Sequence, residues 1–489
     1  MVDTYHISEN RSTPLEAFEK REVEEIAFNH CRLFPGLFSA ESPLFISRAP
    51  GRLDIMGGIA DYSGSVVCEG TLECATIAAV QKSEECQIHI VTKLNEESAL
   101  RKEGSLSIGD LFYGRDHQLL TPQEAKQRFE RLGLFSWSAY ALGGIFFLLK
   151  AGILPTLKRG LNIGIMSNIP LGCGVSSSAA LEVSTFMAIL GALNLNDRLE
   201  PMEIARICQR IENELVGAPC GIMDQVTCIL GVKDTLIKLQ CQPHTFLGRL
   251  AVPEGCQFLG INSNVKHSVG GKRYKSARIG AFMGHKIITH KMQKDKNLGK
   301  YLCNMDPKTY KENFRSHLPL ELQGTQFLKG FGHTIDPLSN KLLEQEEIYK
   351  IRLPTEHPIL ENERVNQFIS FLEEACYKEK EREVLEKAGS LMYESHESYS
   401  KCCNLGALET DLVVDQIKKL GVEKGFYGAK ITGGGSGGTV AVMCINDDET
   451  IEELKKVMNI YRRKTGLTPQ LFQGSSNGAL KMGIGVYTP

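Results

Sequence analysis

PLGCGVSSSAALEV occupies residues 170–183, between a stretch with strand character, LNIGIMSN (161–168), and a run with helical spacing over 178–192. A strand that passes through glycines and three serines straight into a helix can aim several backbone N–H groups at one point. The positive end of the helix dipole faces the same point, and an anion belongs there. Serine hydroxyls can also bind phosphate oxygens or a magnesium ion. A capped helix after a tight turn would need only one serine. Gly172 and Gly174, followed by Ser176, Ser177 and Ser178, therefore read as a phosphate-binding turn. It is not a Walker A loop, because no GK[ST] follows.

Three further glycine-bearing stretches carry candidate chemistry. GAPCGIMDQ (217–225) places Asp224 after Gly217, Pro219 and Gly221. Taken alone, that acid is as much a turn-former as a functional group. Glu212, twelve residues upstream, falls near the end of a helix expected over 200–215, either as a magnesium ligand or as a solvated helix end. RAPGRLDIMGGIADYSGS (48–65) sets Arg52, Asp54 and Asp61 among glycines and reads as a loop between strands at 44–49 and 74–80. TGGGSGG (432–438) is followed by a strand, GTVAVMCI, rather than by a helix. That order argues against a dinucleotide fingerprint and for a hairpin-like turn packed on a ligand or another loop.

The rest of the chain sets bounds. Its 489 residues allow two to four domains, and 42% apolar with 23% charged residues is ordinary for a globular protein. A net charge of −2 gives no reason to expect nucleic acid or membrane as a partner. Fifteen scattered cysteines without a CxxC spacing point to reduced, buried thiols and a reducing compartment such as the cytosol. No apolar signal-peptide core is visible near the start. ALGGIFFLLKAGIL (141–154) contains Lys150, is too short to cross a bilayer, and reads as a buried helix ending near Gly152.

Other helices are expected at 14–30, with Thr13 as N-cap and Pro14 at the first position, and at 121–131, 136–150, 363–387, 389–400, 407–420 and 448–463. Strands are expected at 87–92, 235–240 and 257–262, with a last one around 479–487; residues 301–360 carry no assignment. Lys266–Lys300 holds ten lysines and arginines against Asp295 alone, a pattern read as a solvated helix face. Tyr274, Phe282 and Tyr301 are too few aromatics there for a base-stacking platform.

In this order, APGR (49–52), LGCGVSSSAAL (171–181), PCGIMDQ (219–225) and TGGGSGG resemble the signature motifs of the GHMP small-molecule kinases, most specifically the galactokinase branch. NSNVKHSVGGKRYKSAR (262–278) is similar to the galactokinase segment that supplies a sugar-contacting tyrosine, here Tyr274. MGGIADYSGS (56–65), VGAPCGIMDQVT (216–227) and TEHPILENERV (355–365) most resemble the kinase portion of L-arabinokinases. The similarity covers about 45–280 and 390–485.

The resemblance implies an α+β fold of two domains with the active site in the cleft between them. Residues 1–245, with the final strand from about 471 to 489, would form one domain and 246–470 the other. It implies a sugar 1-kinase that moves the γ-phosphoryl group of ATP, with Mg2+, to an anomeric hydroxyl. Gly172, Gly174 and Ser176–Ser178 would cradle the triphosphate, Ser178 and Glu212 would ligate magnesium, and Gly433, Gly434 and Gly435 would pack near the nucleotide. Asp224 would act as base or electrostatic orienter, beside Arg52. Asp61, Tyr274 and Gly221 would bind sugar.

Galactokinases usually have Glu-His where this chain has Gly58-Ile59, near the hydroxymethyl end of galactose. L-arabinopyranose lacks that group, so polar side chains there would be left unsatisfied. L-arabinose, giving L-arabinose 1-phosphate, is therefore the expected substrate. The alternatives are galactose or another sugar, a uronate, which would need a cation near C6, and a non-catalytic sugar sensor, which should have lost Asp224, Arg52 or a loop serine. The expected partners are a small-molecule sugar and ATP, without nucleic acid or membrane, in the cytoplasm.

Overall fold

The structure, a computed structural model, describes residues 3–5, 18–93, 101–113, 118–134, 137–265, 271–292, 299–376 and 381–488. Among these, nine strands form one large sheet. Its main path runs Asp3–Tyr5, Ile484–Tyr487, Leu44–Met56, Val66–Lys82, Leu161–Ser167, Gln87–Lys93 and Arg101–Ser107. Val66–Lys82 is long enough to serve two partners in succession. Residues 66–70 pair with Thr235–Gln240, and 76–82 pair with Leu161–Ser167. Thr245–Ala251 adds to Thr235–Gln240, and among the described strands only Gln87–Lys93 with Leu161–Ser167 runs parallel.

The helices on this sheet follow from their composition. Ser177–Ala192 is apolar nearly all round, as a helix enclosed by protein should be, and it lies across Leu44–Met56 and Val66–Lys82. Trp137–Lys150 packs on it and is buried along most of its length, as expected from the apolar run. A second, four-stranded antiparallel sheet orders Phe426–Ile431, Thr439–Ile445, Cys256–Asn262 and Gln470–Phe472. Helices Glu381–Lys401 and Leu408–Leu420 pack against Phe426–Ile431.

Several expectations are corrected. The glycine-rich stretch at 48–65 is a loop only in part: strand Leu44–Met56 runs through Pro50 and Gly51. Bulges at Pro50/Arg52 and Asp54/Met56 let it stay paired with the equally long neighbour. The strand then gives way to a tight 3-10 turn, Gly58–Ser63, bracketed by Gly57 and Gly64 in left-handed conformations. The first helix is Lys20–Leu33, and the expected cap at Thr13 and Pro14 lies outside the described residues.

Arg352–Ala375 and Glu381–Lys401 replace the helices expected at 363–387 and 389–400. The longer helix tolerates Pro354 in its first turn and Pro358 inside, which hid its true start. Among its described residues, the basic segment is a solvated face except at one position: Lys272, Arg273, Lys291 and Lys300 are exposed, whereas Arg278 is buried. Lys272–Lys291 is a helix whose Tyr274, Arg278 and His285 are buried; the basic residues at 266–270 and 293–298 lie outside the described residues. Strands Arg101–Ser107 and Thr245–Ala251 carried no sequence expectation.

All fifteen cysteines are free, and most are buried or partly so. No helix among the described residues is long and apolar enough to cross a membrane.

Candidate active site

The serine-rich turn is built by three left-handed residues, Gly172, Gly174 and Ser176, with φ of 74°, 72° and 60°. Ser176 begins the Ser177–Ala192 helix, and no side chain caps that end. Its first N–H groups are thus free to meet an anion. Strand Leu44–Met56 passes so close that a Cβ on Gly51 would lie 3.0 Å from the Val175 carbonyl oxygen. The Arg52 N–H donates to that same oxygen at 3.2 Å. The second glycine turn closes on the first. A Cβ on Gly433 would be 2.9 Å from the Gly174 oxygen, and the Thr439 hydroxyl donates to the Cys173 oxygen at 2.8 Å.

Arg52 joins the turn to Asp224. Its Nη1 donates to the Gly174 oxygen at 2.7 Å, while Nε and Nη2 both donate to Asp224 Oδ1, at 3.0 and 2.8 Å. Both bonds fall on Oδ1, which leaves Oδ2 for the cleft that Asp224 lines. Asp224 stands in the first turn of helix Met223–Leu230, where a carboxylate also meets the positive helix end. Glu69, fully buried, lies 3.4 Å from Arg52 Nε. Burial, reinforced by the nearby Asp54 charge, pushes Glu69 well above the usual carboxylate range. Against the cost of burial, Asp224, Glu69 and Asp54 raise the Arg52 guanidinium above its ordinary value. Arg52 is therefore a fixed cation.

Across from Arg52, the Gly58–Ser63 turn supplies Ile59 and Asp61, and helix Lys272–Lys291 supplies Tyr274. Asp61 Oδ1 accepts from the Tyr62 N–H at 2.6 Å, and its carboxyl presses on Gly221. Burial pushes Asp61 up to about 7, against the pull of the Arg278 charge. The Tyr274 ring stands edge-on to Tyr62, with centroids 6.2 Å apart. The Arg278 guanidinium lies over the Tyr62 ring, 5.3 Å from its centroid, and is held by Asp336 at 2.9 and 3.2 Å.

Arg52 and Asp224, the serine-rich turn, and Ile59 and Asp61 with Tyr274 meet at one cleft. Its wall brings together Arg52, Gly58, Ile59, Asp61, Gly172, Gly174, Ser176–Ser178, Glu212, Gly221, Asp224, Tyr274, Gly433 and Gly434. Gly435 is the exception among the expected positions. It packs under Leu405, where a Cβ would lie 2.6 Å from the carbonyl oxygen, and it is not part of the wall.

Ser178 and Glu212 meet at 3.1 Å, and the Gln225 amide donates to both Glu212 and the buried Glu182, at 3.0 and 3.2 Å. Burial, with the Asp224 charge second, pushes Glu212 up to about 7. A hydroxyl and a carboxylate side by side at the mouth of the serine-rich turn are hard oxygen donors. That pair fits Mg2+, which takes few protein ligands and completes its shell with water and phosphate.

Five buried charged partners were given no role by sequence reasoning. Asp54 Oδ2 pairs with Lys430 at 2.8 Å and accepts from the Tyr399 hydroxyl and the Gly433 N–H, both at 3.1 Å. Asp54 and Lys430 are fully buried. Losing one partner of such a pair costs about 3–5 kcal/mol, because the other charge stays uncompensated. Glu69, Glu182 and Arg278 were also missed. An acid in a glycine-rich stretch was the only available signal, for Asp54.

The GHMP kinases N terminal domain matches residues 140–232, the GHMP kinases C terminal domain matches 372–462, and the galactokinase galactose-binding signature matches 32–82. An L-arabinokinase of Arabidopsis thaliana is 34% identical over 99% of this chain; the chain spans about half of that protein, 49% of its length. A galactokinase of Actinobacillus pleuropneumoniae is 28% identical, over 88% of this chain and 92% of its own. Among solved structures, Lactococcus lactis galactokinase complexed with galactose superimposes with a TM-score of 0.70 at 19% identity, covering 94% of this chain and 98% of that one. Methanococcus jannaschii mevalonate kinase gives 0.54 at 18% identity, over 88% and 98%. Matched at both ends and at its sugar-side signature, the chain belongs to the galactokinase branch of the GHMP kinase superfamily.

Proposed function

We propose that this protein transfers the γ-phosphoryl group of ATP to the anomeric hydroxyl of a galactose-like monosaccharide, L-arabinose before others. The observation that carries the reading is the single guanidinium of Arg52, bonded at once to the serine-rich turn and to Asp224. The γ-phosphate would lie over the turn, and the sugar would lie against Asp61, Ile59 and Tyr274. Asp224 Oδ2 then faces the C1 hydroxyl. As the bond from the sugar oxygen to phosphorus forms and the bond to the ADP bridging oxygen breaks, the hydroxyl proton passes to Oδ2. Arg52 and the turn N–H groups stabilise charge on the moving phosphoryl group. Mg2+, held by Ser178 and Glu212, would neutralise phosphate charge.

The preference for L-arabinose is supported by the buried, apolar Ile59 on the wall and by the L-arabinokinase relative. Galactose is the competing substrate, since an apolar wall rejects an extra hydroxymethyl group by shape alone. A uronate is a further competitor: Arg278 gives Nε and Nη2 to Asp336, but its buried Nη1 is not taken up by that pair.

The test offers L-arabinose, D-galactose, D-galacturonate and D-xylose with Mg-ATP, scored by ADP release and by identification of the 1-phosphate. L-arabinose should give the highest kcat/KM. Asp224→Asn should lower kcat by about 10^2–10^4-fold while ATP binding persists. ADP release that no sugar raises above the sugar-free rate would refute the reading.

A further inference from the structure

Position 58 has no space for a side chain. A Cβ on Gly58 would lie 2.2 Å from Asp54 Oδ2, 2.8 Å from Asp54 Cγ and 2.5 Å from the Tyr399 hydroxyl oxygen. Gly58 is not in a left-handed conformation, so space rather than backbone strain excludes a larger residue. The obstructing atoms are pinned. Asp54 Oδ2 is held by Lys430, Tyr399 and the Gly433 N–H, while Oδ1 accepts from the Gly58 N–H at 3.1 Å. The Tyr399 oxygen also accepts from the Ile59 N–H at 3.1 Å, and the Lys430 ammonium lies 5.0 Å from the Tyr399 ring centroid. The glycine is thus imposed from behind the cleft.

We infer that Asp54 is a specificity-determining positioning residue, whose carboxylate takes the space a side chain at 58 would need and locks the turn that presents Ile59 and Asp61. It touches neither sugar nor nucleotide. Through the N–H groups of Gly58 and Gly433, the same carboxylate fixes the sugar-side turn to the nucleotide-side turn. The identity of the pocket rests on the sugar-kinase reading above. It follows that Glu-His cannot be installed at 58–59 by those two changes alone. A glutamate in place of Gly58 would bring a second buried carboxylate against one lysine, and only a side chain at 54 released from Lys430 can turn out of its way.

The test is a double-mutant cycle on the full chain: wild type, D54N, G58E and D54N/G58E. Each protein is measured for melting temperature and for kcat/KM on L-arabinose and D-galactose. Each single change should lower the melting temperature by about 5 °C or more. G58E should also cut kcat/KM on both sugars by at least about tenfold. In D54N/G58E the new carboxylate pairs with Lys430, so the melting temperature should exceed that of G58E and turnover should recover, with the galactose-to-arabinose ratio raised. Losses in the double variant equal to the sum of the singles would overturn the inference.

Should G58E not fold, G58A replaces it and is expected to lose about 5 °C. G330A, at an exposed helix position with open space around it, should be unchanged. A G58A protein as stable as G330A would equally overturn the inference. A wild type inactive on every sugar defeats the sugar-kinase reading, whereas the thermal cycle still decides whether Asp54 and Gly58 are coupled.

Discussion

The Asp61 carboxylate rests on the backbone of Gly221: a Cβ at 221 would sit 1.6 Å from Asp61 Oδ2 and 2.5 Å from its Cγ. Two segments 160 residues apart in the chain are therefore fitted at one point of the cleft wall, with no allowance for a methyl group. Gly221→Ala should push Asp61 out of place and leave the serine-rich turn untouched. The expected result is a loss in sugar kcat/KM of about 100-fold, carried mainly by KM for the sugar, with KM for ATP nearly unchanged. Initial rates with each substrate varied in turn decide it. A matched rise in both KM values would mean that Gly221 supports the whole cleft rather than Asp61.

How much of this was legible depends on how local each determinant is. Gly172, Gly174 and Ser176 declare their turn in the sequence, because left-handed backbone and a serine-led helix start are written in consecutive residues. Arg52 and Asp224 could be flagged by type, yet their contact across 172 positions is a tertiary fact. Asp54 and Lys430, 376 positions apart, left no mark of their pairing. Arg278 was misread for the same reason: counting lysines and arginines along 266–300 ignores Asp336, the acid that allows this one to be buried. Pro50 and Gly51 suggested a loop, but here glycine serves the close approach to Val175 within a continuing strand.

Arg52 makes three directed bonds that no ammonium can reproduce, because Nη1 serves the Gly174 oxygen while Nε and Nη2 serve Asp224. Arg52→Lys keeps the charge and loses the fork. It should lower kcat by at least about 100-fold with sugar binding retained. Stopped-time assays beside sugar binding by calorimetry make the comparison, and a lysine variant with wild-type turnover would show that charge alone suffices.

The Ser178–Glu212 contact gives a metal prediction. Glu212→Gln keeps the size of the side chain and its place beside the Gln225 amide but removes the anionic oxygen. The Mg2+ concentration for half-maximal activity should rise by about tenfold or more, since outer and inner ligands of such sites each contribute on that scale. Mn2+ binding followed by electron paramagnetic resonance should weaken in parallel. Ser178→Ala should move both quantities in the same direction by a smaller factor. Unchanged metal dependence in both variants would remove the pair from the metal site.

Asp61 carries a pH signature of its own. Burial raises its folded-state value from 3.8 to about 7, with Arg278 and the Tyr62 N–H working in the opposite direction. Between pH 4 and 7 the folded chain therefore keeps a proton that the unfolded chain has released. The stability this group contributes is complete below about pH 4, falls by at most about 1.4 kcal/mol per pH unit as pH rises, and is gone above about pH 7. Asp61→Asn removes the titration while preserving shape. Plotted against pH, the stability of the variant minus that of wild type should climb from pH 4 to 7 and then level off. Urea midpoints at half-unit intervals, with the slope m held common, provide the curve. Parallel curves for the two proteins would place the proton elsewhere and make Asp61 an ordinary ionised carboxylate, already charged when the sugar arrives.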